Sequence, residues 1–365
     1  MVLDIYILLM IWSIISSSIY FIKIDKCIID KLYIILVYIP LILVAGFRHW
    51  SVGTDTWMYL YWYNMSSNID FNFNFFTVLS DGANVEIGYA FLNYILNVLY
   101  FDEQSIIFLM SLLTILGFSS FFYKYSKSLW LSTFLFIGLV SYQETFNMIR
   151  QAFAAMIMCN AYGFLIKDER YKYVLTTLIA MLFHFTAIIY FFIGLFMPLK
   201  IKKMLFVIMV VLLVIVLGQN IIIMYLAELA PKYIGYFDSA LTTTRAIGVG
   251  IIQPIFVLIL MVASYYFIKL NKFNNEERKQ VEICNVFMIF TIFETSMQYL
   301  FPIIARFNPY CFTYILILIP LILDKIKFSL LKYILYILII IIAFIYCIYS
   351  MSLGRHGVVP YKLFY

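Results

Sequence analysis

Charge is scarce in this chain. Only 12% of its 365 residues are Asp, Glu, Lys or Arg, 65% are hydrophobic, and mean hydropathy is +0.99. That balance lies far outside the range of soluble domains. Short alternating apolar segments are also missing, which excludes a β-barrel. The five cysteines (Cys27, Cys159, Cys284, Cys311, Cys347) form no CxxC and no Cys/His pair, so neither a disulfide framework nor structural zinc is expected. The first residues lack a basic stretch and a small-residue cleavage site, and 2–22 therefore reads as a retained span. No inverted repeat of the transporter kind is found. The net charge of +6 sits in short lysine loops and implies no nucleic-acid partner.

What is present is a succession of apolar runs of roughly 15–22 residues, the length a bilayer requires. The fold class expected is an all-α polytopic membrane protein with about 11–13 transmembrane helices, counting short and re-entrant segments. It would form one transmembrane domain over 1–365. Segment 87–101 is too short to cross and is expected to be re-entrant or interfacial, which is tolerated where it lines a protein cavity. Segment 172–198 carries Lys at both ends, so it is expected to enter and return as two short helices broken near His184.

The basic residues are partitioned by type. Six short loops (23–31, 123–128, 167–172, 200–203, 269–279, 324–332) hold 16 of the 18 Lys and two of the seven Arg. Lysine-rich short loops mark the cytoplasmic side. Arg48, Arg150, Arg245, Arg306 and Arg355 fall in or beside the alternate loops, where insertion does not account for them. Arginine offers a planar bidentate fork suited to phosphate and carboxylate. An anionic ligand handled on the outer face is the implication, in a cavity lined by the outer loops 48–86 and 220–249.

Polar clusters recur on that side. Residues 48–63 set Arg48 and Asp55 around a Gly-containing turn, followed by an aromatic stretch with Trp57 and Tyr61. The aromatics suit a headgroup belt as well as sugar stacking. Glu144, Asn147 and Gln151 share a helical face with Arg150 beside them, at the mouth of a span. An internal Glu144–Arg150 ion pair is the plain structural explanation. Glu86 and Tyr89 open the short segment, and His184 breaks a span. Glu294, with Gln298 one turn on, lies inside a span. Arg306 and Arg245 are ordinary flanking charges unless the loops fold over one cavity, and Arg355 in the tail is expected to stand apart.

Gly46-Phe47-Arg48 with Val52-Gly53-Thr54-Asp55, Glu86-x-Gly88-Tyr89-x-x-Leu92-Asn93, Asn147-x-Ile149-Arg150-Gln151-x-Phe153-Ala154 and Leu182-Phe183-His184-x-Thr186-Ala187 follow in that order. In this the chain resembles the EpsG family, the Wzy-like polymerases of O-antigen, capsule and exopolysaccharide repeat units. The four motifs cover about residues 46–190. The resemblance implies a GT-C-like, metal-independent, inverting glycosyltransferase of the bacterial inner membrane, without a cofactor. Its donor and acceptor would be undecaprenyl-diphosphate-linked glycans, polymerised on the outer face, with a chain-length regulator as a further partner. The outer loops hold no Asp-x-Asp motif, and no metal site is expected.

Such a transfer needs a base for the acceptor hydroxyl and positive charge for the departing diphosphate. Glu144, His184, Asp55 and Glu86 are the base candidates, the first two favoured. Arg48, Arg150, Arg245 and Arg306, with Asn147 and Gln151, are the diphosphate candidates; Trp57, Tyr61 and Tyr89 would border glycan or lipid. An O-antigen ligase-like transferase, a lipid-linked oligosaccharide flippase and a membrane acyltransferase are the competing readings.

Overall fold

The computed structural model describes residues 5–67, 85–197, 247–297 and 306–364. The expected span 203–219, the loop 220–249 with Arg245, and Gln298 lie outside the described residues. Among those described there is no β-strand; the extended pairing is an isolated bridge between Arg48 and Leu363. In lipid every backbone polar group must be satisfied within the segment, which is why apolar runs of this length become helices. Lys26–Gly46, Gln104–Tyr125, Ile149–Ile166 and Ser329–Ser352 are long and apolar enough to cross a membrane. At 1.5 Å per residue, 21 to 24 residues reach about 31–36 Å. The chain is an all-α polytopic membrane protein.

Helices α1 (Ile5–Ser16), α2 (Lys26–Gly46), α3 (Thr56–Ser67), α4 (Ile87–Val98) and α5 (Gln104–Tyr125) open the chain. Antiparallel packing of α2 and α5 fixes the two ends of the bundle. At one end Gln104 Nε2 donates to the carbonyls of Gly46 (2.7 Å) and Arg48 (3.1 Å). At the other, Cys27 Sγ meets Tyr123 Oη at 3.4 Å. We term these the loop end and the lysine end.

The short helix α4 does not cross. Gly88 N donates to Leu182 O (2.7 Å) at its start. At its finish Asn97 Nδ2 donates to Ser66 Oγ (2.8 Å), and Tyr63 Oη donates to Phe101 O (2.6 Å) just beyond. Both ends therefore belong to the loop end, and α4 lies against the bundle as the sequence leads one to expect.

Next come α6 (Leu129–Gly138), α7 (Ser141–Asn147), α8 (Ile149–Asn160), α9 (Tyr162–Ile166), α10 (Arg170–Met181) and α11 (Ile189–Phe196). Helices α10 and α11 are the anticipated broken pair. His184 is extended (φ −158°, ψ 116°), and a 3₁₀ turn over Phe185–Ile188 starts the return. Tyr173 near the start of α10 packs beside Gly194 near the end of α11, so the two run antiparallel.

Helices α12 (Ile247–Lys269), α13 (Asn275–Met297), α14 (Asn308–Phe312), α15 (Ile315–Asp324) and α16 (Ser329–Ser352) follow. Phe287 of α13 stacks on Tyr314 with centroids 3.6 Å apart, in a core of buried tyrosines that includes Tyr162, Tyr190 and Tyr310. Helix α16 is peripheral. Ile334, Ile337, Ile341, Ile345 and Ile348 line an exposed stripe at helical spacing, as a lipid-facing helix requires. After α16 the chain turns back, and residues 355–364 lie along 47–54.

Candidate functional site

Three segments far apart in sequence meet on one carboxylate at the loop end. Glu86 Oε2 pairs with Arg150 Nη1, while Oε1 lies 2.8 Å from His184 Nδ1 and accepts from Phe185 N at 3.2 Å. Burial alone would raise the Glu86 carboxyl, but the His184 hydrogen bond and the Arg150 charge hold it below its ordinary value. An ionised carboxylate only accepts, so Nδ1 carries a hydrogen, and in the neutral ring Nε2 is then the acceptor nitrogen. Glu86 thereby fixes the tautomer of His184 and anchors the guanidinium with its other oxygen.

The local chain explains this meeting. A Cβ at Gly88 would lie 2.8 Å from Leu182 O, so only glycine lets α4 start against the break that presents His184. This accounts for the Glu-x-Gly and Leu-Phe-His motifs as one contact. Arg150 sits in the first turn of α8, and Met148 (φ −100°, ψ 52°) separates that helix from α7.

The Arg150 guanidinium rests on aromatic faces, 4.4 Å from the Trp62 centroid, 5.7 Å from Tyr89 and 6.0 Å from Tyr59. A desolvated contact of this kind contributes on the order of 1–2 kcal/mol. Tyr89, expected to border glycan or lipid, is fully buried and lies beneath the arginine. Trp57 and Tyr61, expected to border glycan or lipid, lie on the exposed face of α3, and the α3 rings under Arg150 are Tyr59 and Trp62. Their helical spacing, three apart, carried that signal. Thr186 and Tyr310, bonded through their hydroxyls at 2.9 Å, flank the same break and were also missed.

The remaining candidates are distributed otherwise. Arg48 is fully buried: it donates to Ala45 O, Ser111 Oγ (3.2 Å) and Phe146 O (3.2 Å) and lies 4.6 Å from the Phe146 ring centroid. It ties α2, α5 and α7 together from within. Asn147 Oδ1 accepts from Thr54 N (2.7 Å), and its carbonyl accepts from Tyr59 Oη (2.9 Å), so it holds the loop before α3. Asp55 accepts from Thr54 Oγ1 (3.1 Å) at the start of that helix. The Gln151 amide donates to the carbonyl of Arg306, whose residue is exposed.

Glu144 is not the partner of Arg150. It borders a small cavity with Phe118, Phe136, Thr145, Met148 and Pro309, close to Asn308 and Arg355. Burial pushes its carboxyl up to about 7, opposed by the Arg355 charge and an Asn308 hydrogen bond. The tail arginine expected to stand apart thus faces Glu144. The sequence held no sign of this, because it depends on the chain folding back after α16. Glu294 is buried in α13 near Glu144.

At the lysine end Glu277 is held by Lys127 (2.7 Å) and Lys325 (2.8 Å). Burial opposes its charge, but those two hydrogen bonds bring its pKa down to about 2. Lys26–Asp30, Lys172–Glu169 and Lys279–Asp168 pairs lie at this end too.

Among the described residues no group of three His, Cys, Asp or Glu is placed to hold a metal ion. No curated protein and no solved structure matches the chain. A profile of the EpsG family does match, over residues 31–363, thus taking in the glycine-dependent Glu86–His184 contact, Arg150 and nearly all helices around them. The chain belongs to the EpsG family.

Proposed function

We propose that this protein is a polysaccharide polymerase that joins undecaprenyl-diphosphate-linked oligosaccharides at the loop end of the bundle, on the outer face of the bacterial inner membrane. The observation that carries the reading is the convergence of Glu86, Arg150 and His184. It combines an oriented base and a guanidinium on one carboxylate, within a family of membrane polysaccharide polymerases.

The reaction follows from those roles. The acceptor hydroxyl oxygen bonds to the anomeric carbon of the donor while the bond from that carbon to the diphosphate oxygen breaks. The electron pair leaves with the diphosphate, and the hydroxyl proton passes to His184 Nε2. Attack opposite the leaving group inverts the anomeric centre. Arg150 receives the growing phosphate charge; stacking on Trp62 presets its plane, so little reorganisation is needed at the moment of transfer. Glu86 releases part of its hold on Arg150 to the phosphate and keeps His184 in the reactive tautomer.

Purified protein in vesicles, given the lipid-linked repeat, should produce a ladder of polymer and free undecaprenyl diphosphate. Activity is expected to survive EDTA, with Arg150 supplying charge to the diphosphate; complete loss restored by Mg²⁺ would contradict this. Sidedness is tested in a Cys27→Ser background, since Cys27 is the exposed cysteine. Ser51→Cys should react with an impermeant thiol reagent on whole cells and Lys124→Cys should not; the reverse pattern would put the site on the other face.

A further inference from the structure

Residues 355–364 follow the last helix, yet their backbone is committed to a segment three hundred residues earlier. Gly53 N donates to Gly357 O (2.9 Å) and Thr54 N to His356 O (3.2 Å). His49 N donates to Lys362 O (2.9 Å), and Phe364 N donates to Phe47 O (2.8 Å). Tyr361 Oη donates to Val44 O (2.9 Å), and Tyr6 Oη donates to the carbonyl of the fully buried Val358 (3.2 Å). Every residue of the loop so grasped leads directly into α3, whose start is fixed by Thr56 Oγ1 on Val52 O (2.7 Å). Helix α3 in turn carries Tyr59 and Trp62, the rings on which Arg150 rests.

We infer that residues 355–364 form a strap that positions the aromatic cage of Arg150 by holding loop 47–55, making this tail a positioning element of the transfer site. Several features support this. The strap makes backbone hydrogen bonds on both sides of Arg48 and is tightly turned where it begins, with Gly354 just before it at φ +64° and His356 and Gly357 within it at +63° and +60°. A positive φ is uncommon for a residue other than glycine, and His356 adopts it where its carbonyl accepts from Thr54 N. A 1 Å displacement of a group that preorganises a phosphate ligand can cost roughly 100-fold in rate, so a contact at this distance from the chemistry has leverage.

Two glycines, Gly354 just before the strap and Gly357 within it, separate positioning from mere folding. Both are left-handed, so alanine at either carries the same backbone penalty. A Cβ at Gly354 meets nothing within 4 Å, whereas one at Gly357 lies 3.1 Å from Thr54 Cγ2 and 3.4 Å from Thr54 N. Only Gly357→Ala therefore pushes on the loop. The experiment compares the full-length variants in lipid nanodiscs by amide hydrogen exchange over residues 47–67 and by the kinetics of polymerisation of the lipid-linked repeat.

Gly357→Ala should speed exchange in 56–67 about tenfold and lower kcat by about tenfold or more, with KM changed less, since the cage acts on the departing group. Gly354→Ala should match the parent in both. Tyr361→Phe, which removes one strap bond without backbone strain, should move both readouts the same way by a smaller factor, and serves if Gly357→Ala does not accumulate. Unchanged exchange in 56–67, equal effects of the two glycine variants, or faster exchange with unaltered kcat would each overturn the inference. Its kinetic arm rests on the polymerase reading. If the parent protein makes no polymer, that reading fails, and the exchange arm still decides whether the strap holds the cage.

Discussion

Two carboxylates, one at each end of the bundle, are each held by two nitrogen-bearing side chains, and their surroundings differ in kind. Glu277 lies between Lys127 and Lys325, compact ammonium groups that neutralise it at 2.7 and 2.8 Å. Glu86 lies between Arg150 and His184, both planar, one of them stacked on indole and the other an imidazole with a second ring nitrogen. At the lysine end the Glu277 carboxylate is neutralised by two ammonium groups. At the loop end one carboxylate orients two groups whose chemistry is only partly used by it. Under the proposed function, Arg150 is the loop-end cation that serves the ligand, whereas the short lysine loops of the other end accord with insertion.

The sharpest way to break this comparison is to remove the base. His184→Gln keeps a hydrogen-bonding side chain near Glu86 but cannot take the acceptor proton, and polymer formation should fall roughly 10²–10⁴-fold at unchanged membrane abundance. A variant that polymerises at the normal rate would hand the base role to Glu144 or Asp55.

Next in size is a reciprocal exchange of cations. Arg150→Lys retains charge but loses the fork and the flat stacking surface, and should cost about 10²–10³-fold in polymerisation rate. Lys127→Arg, at a nitrogen whose side chain is 40% exposed, should leave ladder length and abundance as they were. Equal tolerance at both positions would erase the distinction between the two ends.

The smallest effect is expected at the lysine end, in stability and not in rate. The folded pKa of Glu277, about 2, lies below its ordinary value of 4.5. Its contribution is therefore complete above about pH 4.5 and is lost as pH falls from there toward 2. With the Lys127 side chain 40% exposed, screening reduces that contribution to about 1 kcal/mol. Glu277→Gln should lower Tm in detergent by roughly 2–4 °C at pH 7 and flatten the acid limb of the Tm profile. An unchanged Tm with loss of polymer would mean that the lysine end also serves the reaction.

The glycine at position 88 shows how local a sequence signal can be and still fall short. The motif Glu86-x-Gly88 was visible, as was Leu182-Phe183-His184, but nothing in either states that the absent Cβ of one is where the carbonyl of the other must go. The partner of Arg150 is a second instance. Helical spacing put Glu144 within reach of it on paper, whereas the break at Met148 divides the two into separate helices, and Glu86 arrives from another segment. Arg48 is a third, for a guanidinium beside an outer loop can face a ligand or its own backbone, and only burial among Ala45, Ser111 and Phe146 decides between them.

By itself the sequence determined the class of solvent, the helical secondary structure, the non-crossing of α4, the broken pair around His184 and the membership of a polymerase family. Each follows from hydropathy, chain length or charge type, which act locally or along one helix. Tertiary structure alone decided which carboxylate meets which cation, which of the aromatics at 57–63 lie under Arg150, and that the tail returns to grip loop 47–55. Those pairings depend on crossing positions of helices separated by a hundred residues or more, where an apolar surface packs many ways and one polar contact selects among them.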